Sequence, residues 1–295
     1  MKCMLCPHMC GAERDKQTGW CGAGNKIKIA RAALHYWEEP CISGKNGSGA
    51  VFFSHCTMKC IFCQNYSISS DNTGVEITNE ELTDFFLRLQ SQGAENINLV
   101  TPTHYLHDII KSLDAAKAKG LTIPIVYNTG GYERVETIKM LKGYIDVYLP
   151  DMKYYSDKYS VRYSNAKDYF KYASGAIEEM FAQTGRPVFD ERGIMQKGVI
   201  VRHMLLPHRL FEAKKIVDYL YTKYGDDIFI SLMSQYTPFG NISNYPELSE
   251  KIKPEYYQSL IDYAEYLGIT NAFIQDTQSG NERYIPDFYD NKEDL

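Results

Sequence analysis

The sequence predicts an α/β protein: a partial (β/α)6 barrel of the TIM type behind a small cysteine-rich amino-terminal extension. Two observations predict it. From residue 50 onward, short apolar runs rich in Val, Ile and Phe alternate with stretches whose apolar residues recur at helical spacing. That alternation reads as a parallel sheet with crossover helices, which a barrel, whole or partial, and an open doubly wound sheet both satisfy. Unusual polar residues then follow one apolar run after another, and active sites of parallel α/β folds form at the carboxyl ends of the strands. Residues 50–295 suit about six units, short of a full barrel of eight. The division expected is 1–47, a metal-binding extension, and 48–295, the barrel.

The elements follow in order. The first 25 residues or so hold four cysteines and little periodicity. The first barrel strand is expected at AVFFS (50–54). Thr78, with Glu81 three residues on, reads as a capping box that opens a helix carrying Leu82, Phe85, Phe86 and Leu89. Further strands are expected at 96–100, 123–127, 145–149, 199–206, 227–233 and 271–275, and further helices near 104–119, 132–142, 166–183, 209–224 and 253–267. Behind these strands come TPTH (101–104), NTGG (128–131), PDMK (150–153) and SQYTP (234–238), with Arg202 and His203 inside the fifth strand.

Composition narrows the function. The chain is 44% hydrophobic and 23% charged, as a globular protein is, and its net charge of −5 argues against a general nucleic-acid binder. No apolar run approaches the length of a membrane span, and the start, MKCMLCPHMC, lacks the apolar core of a secretory signal. A cytoplasmic setting is expected. In a reducing compartment, eight cysteines point to metal binding or catalysis rather than to disulfides.

Cys56, Cys60 and Cys63 follow the first strand at the spacing C-x3-C-x2-C, with no fourth cysteine close behind. A closed metal site normally takes four ligands. A zinc ion would need one more, and His55 adjoins Cys56, but adjacent residues of an extended segment point apart. A cluster of four irons and four sulfides would leave one iron open to an outside ligand. Cluster, zinc and unligated thiols are the three readings, and the spacing favours the first.

With Phe62 as the aromatic before the last cysteine, this motif resembles that of the radical S-adenosylmethionine enzymes, over about residues 48–275. Within that superfamily, CIFCQN, NTGGY and YLPDMKY look most like the activating enzymes of glycyl radical enzymes, in the group related to the pyruvate formate-lyase activator. The resemblance implies a 4Fe-4S cluster on Cys56, Cys60 and Cys63, with S-adenosylmethionine on the open iron. It implies reductive cleavage to a 5′-deoxyadenosyl radical and abstraction of hydrogen from a substrate. A reductant such as flavodoxin or ferredoxin would supply the electron. The chain lacks the Arg-Val-x-Gly-aromatic segment of a glycyl radical acceptor, so the resemblance makes it the activator and a glycyl radical enzyme its partner.

Roles for other residues are implied in the same way. Phe62 would pack near the adenine. Thr101 and Thr103, with Asn98 on the strand, stand where the family usually has a Gly-Gly-Glu-like segment that holds the methionyl amino group. Asn128 and Thr129 match an Asp-Thr-Asn-Gly segment with Asn in place of Asp, and Asp151 and Lys153 match an Asp-x-Lys motif beside the cofactor. Arg202 fits a carboxylate clamp. His203 should face the other way, as a histidine bonded to backbone or as a catalytic group. Gln235, Tyr236 and Gln275 read as pocket lining.

Cys3, Cys6, Cys10 and Cys21 read as a knuckle around zinc or around a second iron–sulfur cluster. Cys41 is expected to be a packed thiol, and residues 35–49 to cover one edge of the site. The tyrosine-rich segment 153–172 reads as a half-buried loop and helix start, or as a lid or docking surface. Two further functions remain open from sequence: radical chemistry on a small molecule, peptide or RNA, and a non-catalytic zinc or iron–sulfur module.

Overall fold

A computed structural model of the chain describes residues 2–238, 242–276 and 286–295. After an irregular amino-terminal segment come strand β1 (Ile27–His35), helix α1 (Pro40–Ser43), β2 (Ser48–Phe53), α2 (Tyr66–Ser69), β3 (Val75–Ile77) and α3 (Asn79–Ser91). The chain continues through β4 (Ile97–Val100), α4 (Leu106–Ala118), β5 (Ile125–Thr129), α5 (Val135–Lys139), β6 (Val147–Pro150), α6 (Asp157–Ser164) and α7 (Tyr169–Thr184). It ends with β7 (Val188–Phe189), β8 (Met195–Met204), α8 (Leu210–Tyr224), β9 (Phe229–Met233), α9 (Pro254–Leu267) and β10 (Ala272–Ile274).

One open sheet runs in the order β10-β9-β8-β6-β5-β4-β2-β1-β3. Neighbours from β2 to β10 pair in parallel. These seven strands and the helices between them form the partial TIM-type barrel that the apolar runs predict. β1 and β3 extend the β2 edge antiparallel, and β7 pairs antiparallel with β8. Residues 27–35 lie on the amino-terminal side of the boundary expected at 47/48, yet they are hydrogen-bonded into the sheet.

Strand alternation sorts the core into two layers. Leu99, Tyr127, Tyr148 and Val201 pack outward among the helices, with Leu82 and Phe86 of α3. Val126, Val147, Leu149 and Ile200 face inward, where Cys41 and Ile42 of α1 pack on them and fill the barrel's lower interior. Cys41 is the packed thiol expected of it. At the upper end, Asp151 N donates to Thr129 O at 2.8 Å. Gly131 makes this closeness possible: its φ is +79°, and a Cβ there would stand 2.0 Å from Asp151 O.

α3 begins as its capping box predicts: Glu81 N donates to Thr78 Oγ1, and Thr78 N to the Glu81 carboxylate. Thr78→Ala removes one half of that pair, and its expected cost is about 1 kcal/mol of stability. A lower urea midpoint at unchanged slope is the measurement that checks it.

Candidate active site

The carboxyl ends of the parallel strands surround a cavity of about 460 Å³, inside the range of roughly 300–1,000 Å³ typical of small-molecule sites. One wall is the loop after β2, where Cys56, Cys60 and Cys63 all line the cavity. The residue before each of the first two is held in the left-handed region without being glycine: His55 at φ 74° and Lys59 at φ 50°. Such backbone is strained and persists only where its surroundings enforce it. Met58 N donates to Cys56 Sγ at 3.4 Å, and the Ser164 hydroxyl donates to Cys60 Sγ at 2.9 Å. His55 turns out of the cavity, its ring lying against Gly22 of the amino-terminal segment.

Opposite the loop lies a buried charge network. Arg202, on β8, donates from Nε to Asp151 Oδ1 at 2.9 Å, from Nη1 to Glu38 Oε2 at 3.1 Å and from Nη2 to Asn128 Oδ1 at 2.6 Å. Glu38 Oε1 accepts from Asn98 Nδ2 at 3.0 Å and from Asn128 Nδ2 at 3.1 Å. Lys153 Nζ meets the other Asp151 oxygen at 2.5 Å. Burial alone would neutralise Asp151, but Lys153 and Arg202 outweigh it and hold its carboxyl below the ordinary range. Burial likewise opposes the charge of Lys153, and Asp151 keeps its ammonium above the usual value. Beside them, burial pushes the Glu39 carboxyl up against the pull of Arg202, and its Oε2 has no hydrogen-bond partner among the described residues.

Phe62, Thr101, Asn128, Thr129, Asp151, Lys153, Arg202 and Gln235 line the cavity with the three cysteines. Gln275 lines it too, donating to Gln235 Oε1 at 2.9 Å. Four expected residues stand elsewhere. Asn98 is buried behind Glu38. Thr103 is turned away, its hydroxyl donating to Glu133 Oε1 at 2.5 Å. His203 faces the helices, with Nδ1 on Met152 O at 2.7 Å, so it does not touch what the cavity holds. Burial lowers His203 to about 4 and keeps it neutral. Tyr236 also points away, its hydroxyl donating to Leu248 O. Sequence reasoning missed Glu38, Glu39, Glu133 and Ser164. The edge assigned to residues 35–49 was the one available signal, for the first two.

The amino-terminal knuckle is fastened to this site. His8 Nε2 bonds Thr57 O at 2.8 Å, inside the cysteine loop, and Arg14 reaches His104 O behind β4. Arg14 Nη2 also donates to Cys3 Sγ at 3.2 Å and lies 3.8 Å from Cys21 Sγ. Cys10 and Cys21 flank Gly19, while Cys6 is buried. Among the described residues no three Cys, His, Asp or Glu side chains converge tightly enough for a single ion.

A partial barrel with three thiols round a cavity at its strand ends defines a class: α/β-barrel enzymes that hold a redox cofactor at the carboxyl face. Residues 50–196 match the radical SAM superfamily, SAM being S-adenosylmethionine, and the chain belongs to it. The chain is similar to an uncharacterized protein of Methanocaldococcus jannaschii, 28% identical over 273 residues, which are 89% of this chain and 74% of that one. It is also similar to SuiB of Streptococcus suis, solved bound to the precursor peptide SuiA (16% identity, TM-score 0.51) and bound to S-adenosylmethionine (16%, 0.50). Each match covers 75% of this chain, but the chain spans only about half of SuiB, 46% and 47%.

The family's cofactors are a 4Fe-4S cluster and S-adenosylmethionine, and the residues present fit both. Three sulfurs spread round a cavity, without converging on one point, suit ligands of three separate irons. Burial pushes Cys60 up to about 12 and raises Cys56, with Lys153 opposing, so a metal centre is what would hold them as thiolates.

Glu133 yields a pH test. Burial pushes its carboxyl up to about 7 from an ordinary 4.5, against the hydroxyls of Thr103 and Thr129. Between those values the folded chain keeps a proton that the unfolded chain has released, so this group makes stability fall as pH rises from 4.5 to 7. Glu133→Gln should remove that fall, on the order of 3 kcal/mol over the window. Urea midpoints measured against pH in both proteins check it; parallel curves are the contrary result.

Proposed function

We propose that this radical SAM enzyme is an activator that abstracts a hydrogen atom from a glycine of a partner protein. The supporting observation is that the three segments resembling the activating enzymes, Cys60–Asn65, Asn128–Tyr132 and Tyr148–Tyr154, each contribute residues to one cavity. Cys56, Cys60 and Cys63 would ligate the cluster. When bound, the cluster and S-adenosylmethionine supply one-electron cleavage of a carbon–sulfur bond, giving methionine and a 5′-deoxyadenosyl radical.

The chain's own part is placement and dryness. Phe62 and the apolar β2 strand would shield the adenosyl end from water. Lys153 and Arg202 would attract the methionyl carboxylate, and Glu38, Asp151 and Asn128 the ammonium. Thr101 and Thr129 would border the sulfonium, with Gln235 at the far rim. A flavodoxin or ferredoxin would supply the electron. Eight free thiols support a reducing, cytoplasmic setting, and no helix among the described residues is long and apolar enough to cross a membrane. Cys3, Cys6, Cys10 and Cys21 would take a second cluster, or zinc once the thiols had drawn together around it.

Anaerobically reconstituted protein should release 5′-deoxyadenosine when given dithionite and S-adenosylmethionine, and Cys60→Ala should lose iron and cleavage together. Anaerobic capture of its partner, followed by electron paramagnetic resonance, should show a glycine-centred radical on that protein. A radical on a small molecule or peptide instead overturns the activator reading.

A further inference from the structure

We infer that a two-hydroxyl relay, Tyr154 to Ser164 to Cys60, raises the reduction potential of the cluster held at Cys60. The inference rests on the proposed ligand role of Cys60. It gives one tyrosine of the tyrosine-rich segment, Tyr154, a part that the reaction itself does not assign. α6 ends against the cysteine loop through two hydrogen bonds. Ile61 N donates to Tyr163 O at 2.9 Å, and the Ser164 hydroxyl donates to Cys60 Sγ at 2.9 Å. Behind Ser164, the Tyr154 hydroxyl lies 2.6 Å from Ser164 Oγ. All three side chains are buried: Ser164 is 0% exposed, Tyr154 2% and Cys60 7%.

Ligation fixes the direction of the relay. A thiolate bound to iron can only accept, and serine has one hydroxyl proton, so Ser164 gives that proton to the sulfur. Its oxygen then accepts from Tyr154, whose hydroxyl has no other partner among the described residues. Hydrogen bonds to a charged sulfur strengthen with its negative charge, and the reduced cluster carries one electron more. The relay therefore stabilises the reduced state, and the second hydroxyl polarises the first. Ser164 is the only side-chain donor to any of the three loop sulfurs among the described residues; Cys56 has the longer backbone contact at 3.4 Å.

The test is a redox titration of the reconstituted full chain, followed by electron paramagnetic resonance, with iron and sulfide counted first. Ser164→Ala should bind the parent's full cluster and titrate at a more negative potential. Tyr154→Phe should shift the same way by less, and Ser164→Thr, which keeps the hydroxyl, should stay at the parent value. If Ser164→Ala does not fold, Tyr154→Phe against Ser164→Thr carries the comparison. Full clusters with unmoved potentials overturn the relay and leave the proposed function standing. A parent chain that binds no cluster overturns the ligand assignment and the relay with it.

Discussion

The barrel mouth depends on keeping two carboxylates and two cations out of water with neither sign unpaired. Each ion taken from water costs several kcal/mol, and only close, well-bonded partners offset that. Arg202 is suited to the centre because its planar fork reaches three partners at once: Asp151 just after β6, Asn128 on β5 and Glu38 from the loop after β1. A lysine has no such fork. The network therefore ties strands that are distant in sequence. It also locks Glu38, which comes from outside the repeating units, over their open end.

The second constraint is the cysteine loop. Its left-handed residues at 55 and 59 need outside support, and two elements supply it. The amino-terminal knuckle grips the loop from one side through His8 and Thr57. The end of α6 latches it from the other at Cys60 and Ile61. A loop held from two sides can keep three thiols spread round a cavity, where an unsupported one would relax towards ordinary turn geometry.

Much of this was legible in the sequence, and the limits have physical causes. All seven parallel strands were readable: strands buried on both faces leave near-continuous apolar runs, and the half-buried β10 keeps a short one, Ala272–Ile274. Arg202 and His203 were correctly set on opposite faces by strand alternation alone. β1 was not readable, because Lys28 and Arg31 break its apolar run. Thr103 was misplaced for another reason. Its residue type suits a ligand contact, but Glu133, thirty residues on, takes its hydroxyl, and sequence carries no sign of such a partner. Ser164 was invisible for the same reason: one hydroxyl in a polar helix end gives no hint that a sulfur lies beyond it.

The charge count of the network also bears on what the mouth can accept. Glu38 and Asp151 pair with Lys153 and Arg202, so the charges of these four groups sum to zero, and burial pushes the neighbouring Glu39 carboxyl up, towards its neutral form. A ligand carrying a single charge would unbalance the four in a poorly solvated place. A ligand end that is both ammonium and carboxylate would not, since each of its charges finds an opposite one and the sum stays near zero. A network paired internally in this way therefore favours an amino-acid moiety over a simple cation or anion of the same size.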